Sequence, residues 1–182
     1  MDYYFLNGRS MPPDMITILI TKRCNFNCPG CSSASPDYTR KMDSKEEITL
    51  EEIKRLIDEV AWFKPSIYFN GGEPTLRPDL LKAVEYAKKK KLIAAFTTNG
   101  SFMNESLAEK IVLSGLDFYS TSIDGPAEYH NKRRGFPNAY ERATQGIRYL
   151  VKVRDKLNRR TPHIRITCIT DEKNIANSWH VL

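Results

Sequence analysis

Thr21-Lys22-Arg23-Cys24-Asn25-Phe26-Asn27-Cys28-Pro29-Gly30-Cys31 places three cysteines within eight residues, in the spacing C-x3-C-x2-C. Three thiolates on one short loop suit three corners of a four-iron cluster, leaving the fourth iron open to a small molecule. Zinc sites instead show paired C-x2-C knuckles or cysteine–histidine pairs. The remaining cysteine, Cys168, is far along the chain, and His130, His163 and His180 form no compact pattern. The spacing favours a cluster and leaves zinc as the alternative. A disulfide framework is disfavoured: three close cysteines cannot pair among themselves, and no signal-peptide pattern precedes them.

Outward from this loop, strand and helix signals alternate. Met15–Ile20 is a short β-branched run ahead of the cysteines. Thr49-Leu50-Glu51-Glu52 reads as a capping box, and Leu50, Ile53, Leu56, Ile57 and Val60 then share one helical face. A second strand is expected at Ser66–Asn70, and a helix after Pro78-Asp79 with Leu80, Leu81, Val84 and Ala87 inward. Strands are expected again at Leu92–Thr97, Leu116–Ser122 and His163–Thr170. Between them, Asn104 caps a helix that Gly115 ends, and Ala139–Lys156 carries a long helical pattern. Asn174–Leu182 has the makings of one more helix.

Such alternation predicts an α/β fold with a parallel sheet: a partial (βα) TIM-like barrel of about five units, functional residues lying on the loops after the strands. No Gly-x-Gly-x-x-Gly follows the first strand, so the dinucleotide fold lacks its signature. The chain has 182 residues and a net charge of +6. That length suffices for one core, and no apolar run is long enough to span a bilayer. Free cysteines suggest a cytoplasmic setting. The basic runs, Lys88–Lys91, Arg133-Arg134 and Arg159-Arg160, are scattered and lack interleaved aromatics, which argues for solvated helix ends over a nucleic-acid surface.

The loops carry an ordered set of motifs. Gly71-Gly72-Glu73-Pro74 follows strand two, Thr98-Asn99-Gly100 ends strand three, and Ser122-Ile123-Asp124-Gly125-Pro126 ends strand four. His130-Asn131-Lys132-Arg133-Arg134-Gly135 lies just beyond. Singly, each is an ordinary turn or strand end. Their common position at one rim is what makes them a site.

The cysteine loop, the Gly-Gly-Glu-Pro segment and their order resemble the radical S-adenosylmethionine (radical SAM) superfamily, and the Ser-Ile-Asp-Gly and His-x3-Arg-Gly segments resemble its MoaA/SPASM-twitch-like branch. The resemblance covers nearly the whole chain. It implies that Cys24, Cys28 and Cys31 ligate three irons of a [4Fe-4S] cluster and that S-adenosylmethionine (SAM) chelates the fourth. Gly71 and Gly72 would admit the methionine end of SAM, Glu73 would accept from its ammonium and Pro74 would stiffen the turn. Asn99 and Ser122 would reach the ribose or carboxylate, and Arg134 the carboxylate. Asp124 is included as a shaper of its turn. Where the family often has an aromatic residue before the third cysteine, this chain has Gly30, so main-chain contact alone is expected there. Ile169, on the same strand face as Arg165 and Thr167, is expected to touch adenine, while Cys168 joins the buried opposite face with Ile164 and Ile166.

The implied chemistry is reductive cleavage of SAM to a 5′-deoxyadenosyl radical that abstracts hydrogen from substrate. A peptide or protein substrate is the first expectation; a small molecule or nucleotide, or a non-catalytic metal-binding module, are the alternatives. An electron donor such as flavodoxin or ferredoxin is implied. Residues 1–182 are expected to be the N-terminal part of a core barrel, lacking the sixth strand and any auxiliary-cluster domain. No catalytic acid or base is assigned.

Overall fold

Apolar side chains at every second position let a strand bury one face and leave the other for function. The computed structural model describes residues 11–31, 47–172 and 174–175 and bears this out in five strands. They are β1 (Met15–Thr21), β2 (Ser66–Gly71), β3 (Ala94–Thr98), β4 (Phe118–Ser122) and β5 (His163–Thr167). All neighbours pair in parallel, in the order β1-β2-β3-β4-β5, as one open sheet. Helices α1 (Leu50–Val60), α2 (Leu80–Lys89) and α3 (Glu105–Leu113) alternate with the first four strands, and α4 (Ala127–Arg134) and α5 (Ala139–Lys156) both lie between β4 and β5. The partial α/β barrel expected from the sequence is therefore the architecture observed.

One face of the sheet carries Ile18, Ile20, Ile67, Phe69, Phe96 and Tyr119, which pack with helix residues Ile53, Ile57, Val84, Ile111 and Leu150 into the main core. The opposite, concave face carries Tyr68, Asn70, Thr97, Ser120, Ser122 and Arg165. Tyr68 Oη lies 2.7 Å from Thr97 Oγ1 and donates to Ser120 Oγ at 3.1 Å, so hydroxyls link β2, β3 and β4 across that face.

The capping box at Thr49 and Glu52 is present in both directions, and Asn104 caps α3 through Leu107 N. Helix α5 has the bounds that its pattern predicts. β3 and β4 each begin two residues later than expected, and β5 ends at Thr167 rather than Thr170. Cys168 is half-buried beyond the strand end, not a core residue. Ile164 and Ile166 do pack inward, as their alternation requires.

Helix α4 was not legible. Its sequence, AEYHNKRR, is polar all round and buries only His130, so no 3.6-residue apolar stripe marks it. The Lys88–Lys91 run closes α2, where Lys88 pairs with Asp117 at 2.6 Å and Lys90 with Asp58. The helix expected at Asn174–Leu182 falls almost wholly outside the described residues. Among the described residues, no helix is long and apolar enough to cross a membrane.

Candidate functional site

The cysteine loop leaves β1 at the sheet's carboxyl rim, where the chain must be pinned because it has no ladder of its own. β2 supplies the first pin. Gly72 N donates to Thr21 O at 2.8 Å and Glu73 N to Arg23 O at 2.7 Å. The contact is so close that a Cβ on Gly71 would sit 2.1 Å from Thr21 O, and one on Gly72 2.2 Å from Arg23 O. No side chain fits either position. The two glycines thus serve first to seat the cysteine loop on the end of β2.

The second pin comes from α4. Gly135 ends that helix in the left-handed conformation, φ 59°, and its α-carbon abuts the Asn27 carbonyl between Cys24 and Cys28. Phe26, 5% exposed, stacks on Phe136 with ring centres 4.3 Å apart. The β3 turn provides a third. Asn25 Nδ2 donates to Ser101 Oγ, and Asn99 Nδ2 donates to Asn25 Oδ1, both at 2.9 Å.

Beneath the loop, Arg77 holds the end of β1. Its Nη1 donates to the Ile20 and Ile48 carbonyls, both at 2.9 Å, while Nε and Nη2 grip the Asp79 carboxylate at 2.8 and 2.7 Å. A buried guanidinium with this many partners satisfies its charge and fixes three segments at once.

Together these contacts enclose a cavity of about 110 Å³ lined by Cys24, Cys28 and Cys31 with Phe26. Its other walls are the strand ends: Asn70, Gly71 and Gly72 from β2, Thr97, Thr98 and Asn99 from β3, and Ser122 from β4. Arg134 closes it from α4. A larger open groove of about 580 Å³ runs along α5 from Ser101 to Tyr149, but it contains no thiol and none of the rim motifs. The smaller cavity is the candidate because the chemistry converges there.

Within it, burial pushes the Cys24 thiol up, and a hydrogen bond from Phe26 N to its Sγ at 3.5 Å pulls it back. Burial also raises Cys28, against the charge of the neighbouring Arg134 guanidinium. Arg134 Nη2 lies 2.7 Å from Asp124 Oδ2, an ion-pair distance, yet neither Nη2 nor Nε makes a well-aligned hydrogen bond, and both are buried. Nη2 faces the Asp124 carboxylate, so the Nε–H is the donor left for an anion in the cavity. Asp124 itself is fully buried. Burial alone would raise its carboxyl, but the polar neighbours His130 and Arg134 hold it below the usual range. His130 Nδ1 accepts from Asp124 N at 3.1 Å, consistent with a structural histidine.

The sequence-derived candidates therefore divide. Cys24, Cys28, Cys31, Gly71, Gly72, Asn99, Ser122 and Arg134 come together on one cavity. Glu73 does not line it: its carboxylate is wholly buried and accepts from Thr75 N, Thr75 Oγ1, Thr98 Oγ1 and Asn99 N. Burial nonetheless raises that carboxyl above the usual range. Pro74 is buried at the start of the following 3-10 turn. Asp124 stands behind Arg134. Gly30 is exposed with φ 78°, away from the lining, and Ile169 is 51% exposed with its backbone N donating to Asp124 Oδ1 at 3.1 Å.

Sequence reasoning missed Asn25, Phe26, Asn70 and Thr97. Asn70 and Thr97 could have been found by extending the strand alternation to the rim. The loop pair could not, since Asn25 meets Asn99 across 74 residues of chain.

Three thiols, apposed glycine backbones and a guanidinium with an unpartnered N–H fit a thiolate-held iron–sulfur group with an anionic ligand beside it. Among the described residues no three histidine, cysteine, aspartate or glutamate side chains converge closely enough to hold a single metal ion. A cluster asks less of them, because its ligands bind separate irons.

The family model described as the radical SAM superfamily matches residues 18–170. A Fe-coproporphyrin III synthase of Methanosarcina barkeri is 37% identical over 129 residues, covering 70% of this chain and 31% of that protein. An AdoMet-dependent heme synthase of the same organism is 38% identical over 142 residues, covering 77% of this chain and 40% of that protein. The chain thus spans less than half the length of either relative. Among solved structures, Streptococcus suis SuiB bound to its precursor peptide SuiA superposes with a TM-score of 0.75 at 17% identity, over 99% of this chain and 38% of that one. At that identity the likeness concerns the fold alone.

Proposed function

The chain belongs to the radical SAM superfamily, and from that premise we propose that it houses the cluster and SAM site of an enzyme acting on an anionic small molecule. The family uses a [4Fe-4S] cluster and S-adenosylmethionine. When bound, these supply one electron and a carbon–sulfur bond whose homolysis yields methionine and a 5′-deoxyadenosyl radical able to take hydrogen from a substrate. The hard chemistry is theirs, and the protein's part is holding, orienting and excluding solvent.

Cys24, Cys28 and Cys31 would hold the cluster, and the single observation that carries this is their meeting on one cavity with the strand ends. Gly71 and Gly72 bring main chain to the cavity wall. Ser122 and the unpartnered Nε–H of Arg134 suit the SAM carboxylate, and Asn99, steadied by Asn25, suits its ribose. Asp124 aims Arg134 and takes no direct part. The residues form the N-terminal part of a core barrel, and reduction would come from a flavodoxin- or ferredoxin-like donor.

A small-molecule substrate is favoured over a peptide. The relatives at or above 30% identity are named for tetrapyrrole or GTP chemistry, small molecules in either case, whereas the peptide-bound structure resembles this chain in fold only. The test is whether the reduced, reconstituted full-length protein forms 5′-deoxyadenosine faster on adding an iron tetrapyrrole than on adding peptides. Stimulation by peptide alone would reverse the preference.

A further inference from the structure

Directly below the cysteine cavity, the concave face of the sheet carries a second polar feature. Ser122, at the cavity wall, lies two residues beyond Ser120 on β4, about 6.6 Å along the strand. Ser120 stands opposite Arg165 on β5. The Arg165 guanidinium rests over the Phe118 ring, 4.7 Å from its centre, which steadies it while leaving its N–H edge free. Among the described residues it has no carboxylate partner, in contrast to Arg23, Arg77 and Arg133. The alternation places no aspartate or glutamate on the concave side of any of the five strands. The face is therefore a hydroxyl-lined floor with one uncompensated cation, a short step from where hydrogen abstraction would occur.

We propose that Arg165 anchors an acidic group of the substrate, a carboxylate or a phosphate, and so selects anionic substrates and sets how far their reacting carbon stands from the cavity. This rests on the radical SAM reading of the cavity, which fixes the direction from which a substrate is approached. A planar guanidinium can grip either oxyanion through two N–H groups. The linked hydroxyls of Tyr68, Thr97 and Ser120 offer neutral partners beside it.

The test is equilibrium binding to the reconstituted full-length protein of three probes: a tetracarboxylate porphyrin, its tetramethyl ester, and guanosine triphosphate. Arg165→Gln and Arg165→Lys are compared with the unaltered protein, with cluster content read from the visible absorbance of each sample. We expect the porphyrin or the nucleotide to bind, less tightly as salt rises, and whichever binds identifies carboxylate or phosphate as the group held. Arg165→Gln should weaken that binding about 10- to 100-fold, the range for losing one charged hydrogen-bonding partner. Arg165→Lys should restore part of it, and affinity for the neutral ester should not change. Equal affinity in Arg165→Gln and the unaltered protein, or binding of neither anion, overturns the proposal. Failure of the unaltered protein to assemble a cluster or cleave SAM would instead overturn the cavity's assignment.

Discussion

Gly135 and Asn27 touch backbone to backbone: a Cβ on Gly135 would lie 2.5 Å from the Asn27 carbonyl oxygen. The end of α4 therefore serves as a wall for the cysteine loop at the residue just before its second thiol, Cys28. Gly135→Ala must both strain a left-handed residue, by about 1–2 kcal/mol, and push Asn27 away. The expected outcome is a folded protein with a lowered melting temperature and reduced iron per chain after reconstitution. Full iron occupancy in this variant would mean that the loop does not depend on that wall.

Glu73 looks in sequence like a direct ligand, yet it is buried behind the cavity with its oxygens turned to Thr75, Thr98 and Asn99. It acts through the β3 turn, whose Asn99 holds Asn25 beside Cys24. Glu73→Gln puts an amide donor among donors, so stability should fall by about 1–3 kcal/mol. Glu73→Gln and Asn25→Ala should both lower the iron bound per chain after reconstitution, because both loosen the turn that holds the cysteine loop. If Glu73→Gln instead keeps stability and cluster while SAM affinity alone falls, the carboxylate reaches SAM directly.

Arg77 is the buried tie between the end of β1, the segment entering α1 and the start of α2. Arg77→Met should cost about 3 kcal/mol, at the low end for a broken buried pair because Asp79 is 26% exposed. Both acids around it titrate low. Arg77 holds Asp79 down through hydrogen bonds and charge, against some burial. Burial would raise Glu47, but hydrogen bonds from Arg23 and Thr21 outweigh it. For carboxyls depressed in the folded state, the stabilisation is fully present above their unfolded values, about 4, and is lost as pH falls through the lower folded values. Urea midpoints measured from pH 7 to pH 3 should therefore fall more steeply below pH 4 in the unaltered protein than in Arg77→Met. Parallel curves would contradict the tie.

Cys168 separates chemistry from composition. It is half-buried beyond β5, outside the cavity that the other three cysteines line. Cys168→Ala should keep both iron content and SAM cleavage, whereas alanine at Cys24, Cys28 or Cys31 should abolish cleavage. Loss of iron in Cys168→Ala would bring a fourth thiol into the site.

Much of this was legible because it is local. The capping box at Thr49, the Asn104 cap and the stripe of α5 are each written within one or two turns of helix. The order of the rim motifs followed from strand alternation alone. What could not be read depends on distant partners. Arg77 is a lone basic residue until Ile20 and Ile48 come within reach, and Gly72 looks like a turn glycine until Arg23 lies against it. Helix α4 escaped because His130 is its sole buried residue, and a single inward side chain has no period. Arg134 lines the cavity with the other motif residues, but its pairing with Asp124 and its unpartnered buried Nε needed three dimensions.

The most direct measurement is iron and acid-labile sulfide per chain after anaerobic reconstitution, with 5′-deoxyadenosine assayed in the same sample under reductant. About four irons and four sulfides per chain, with 5′-deoxyadenosine formed from SAM, is the predicted result for a single cluster held by three thiolates. Stoichiometric zinc, or no bound metal and no 5′-deoxyadenosine, would contradict it.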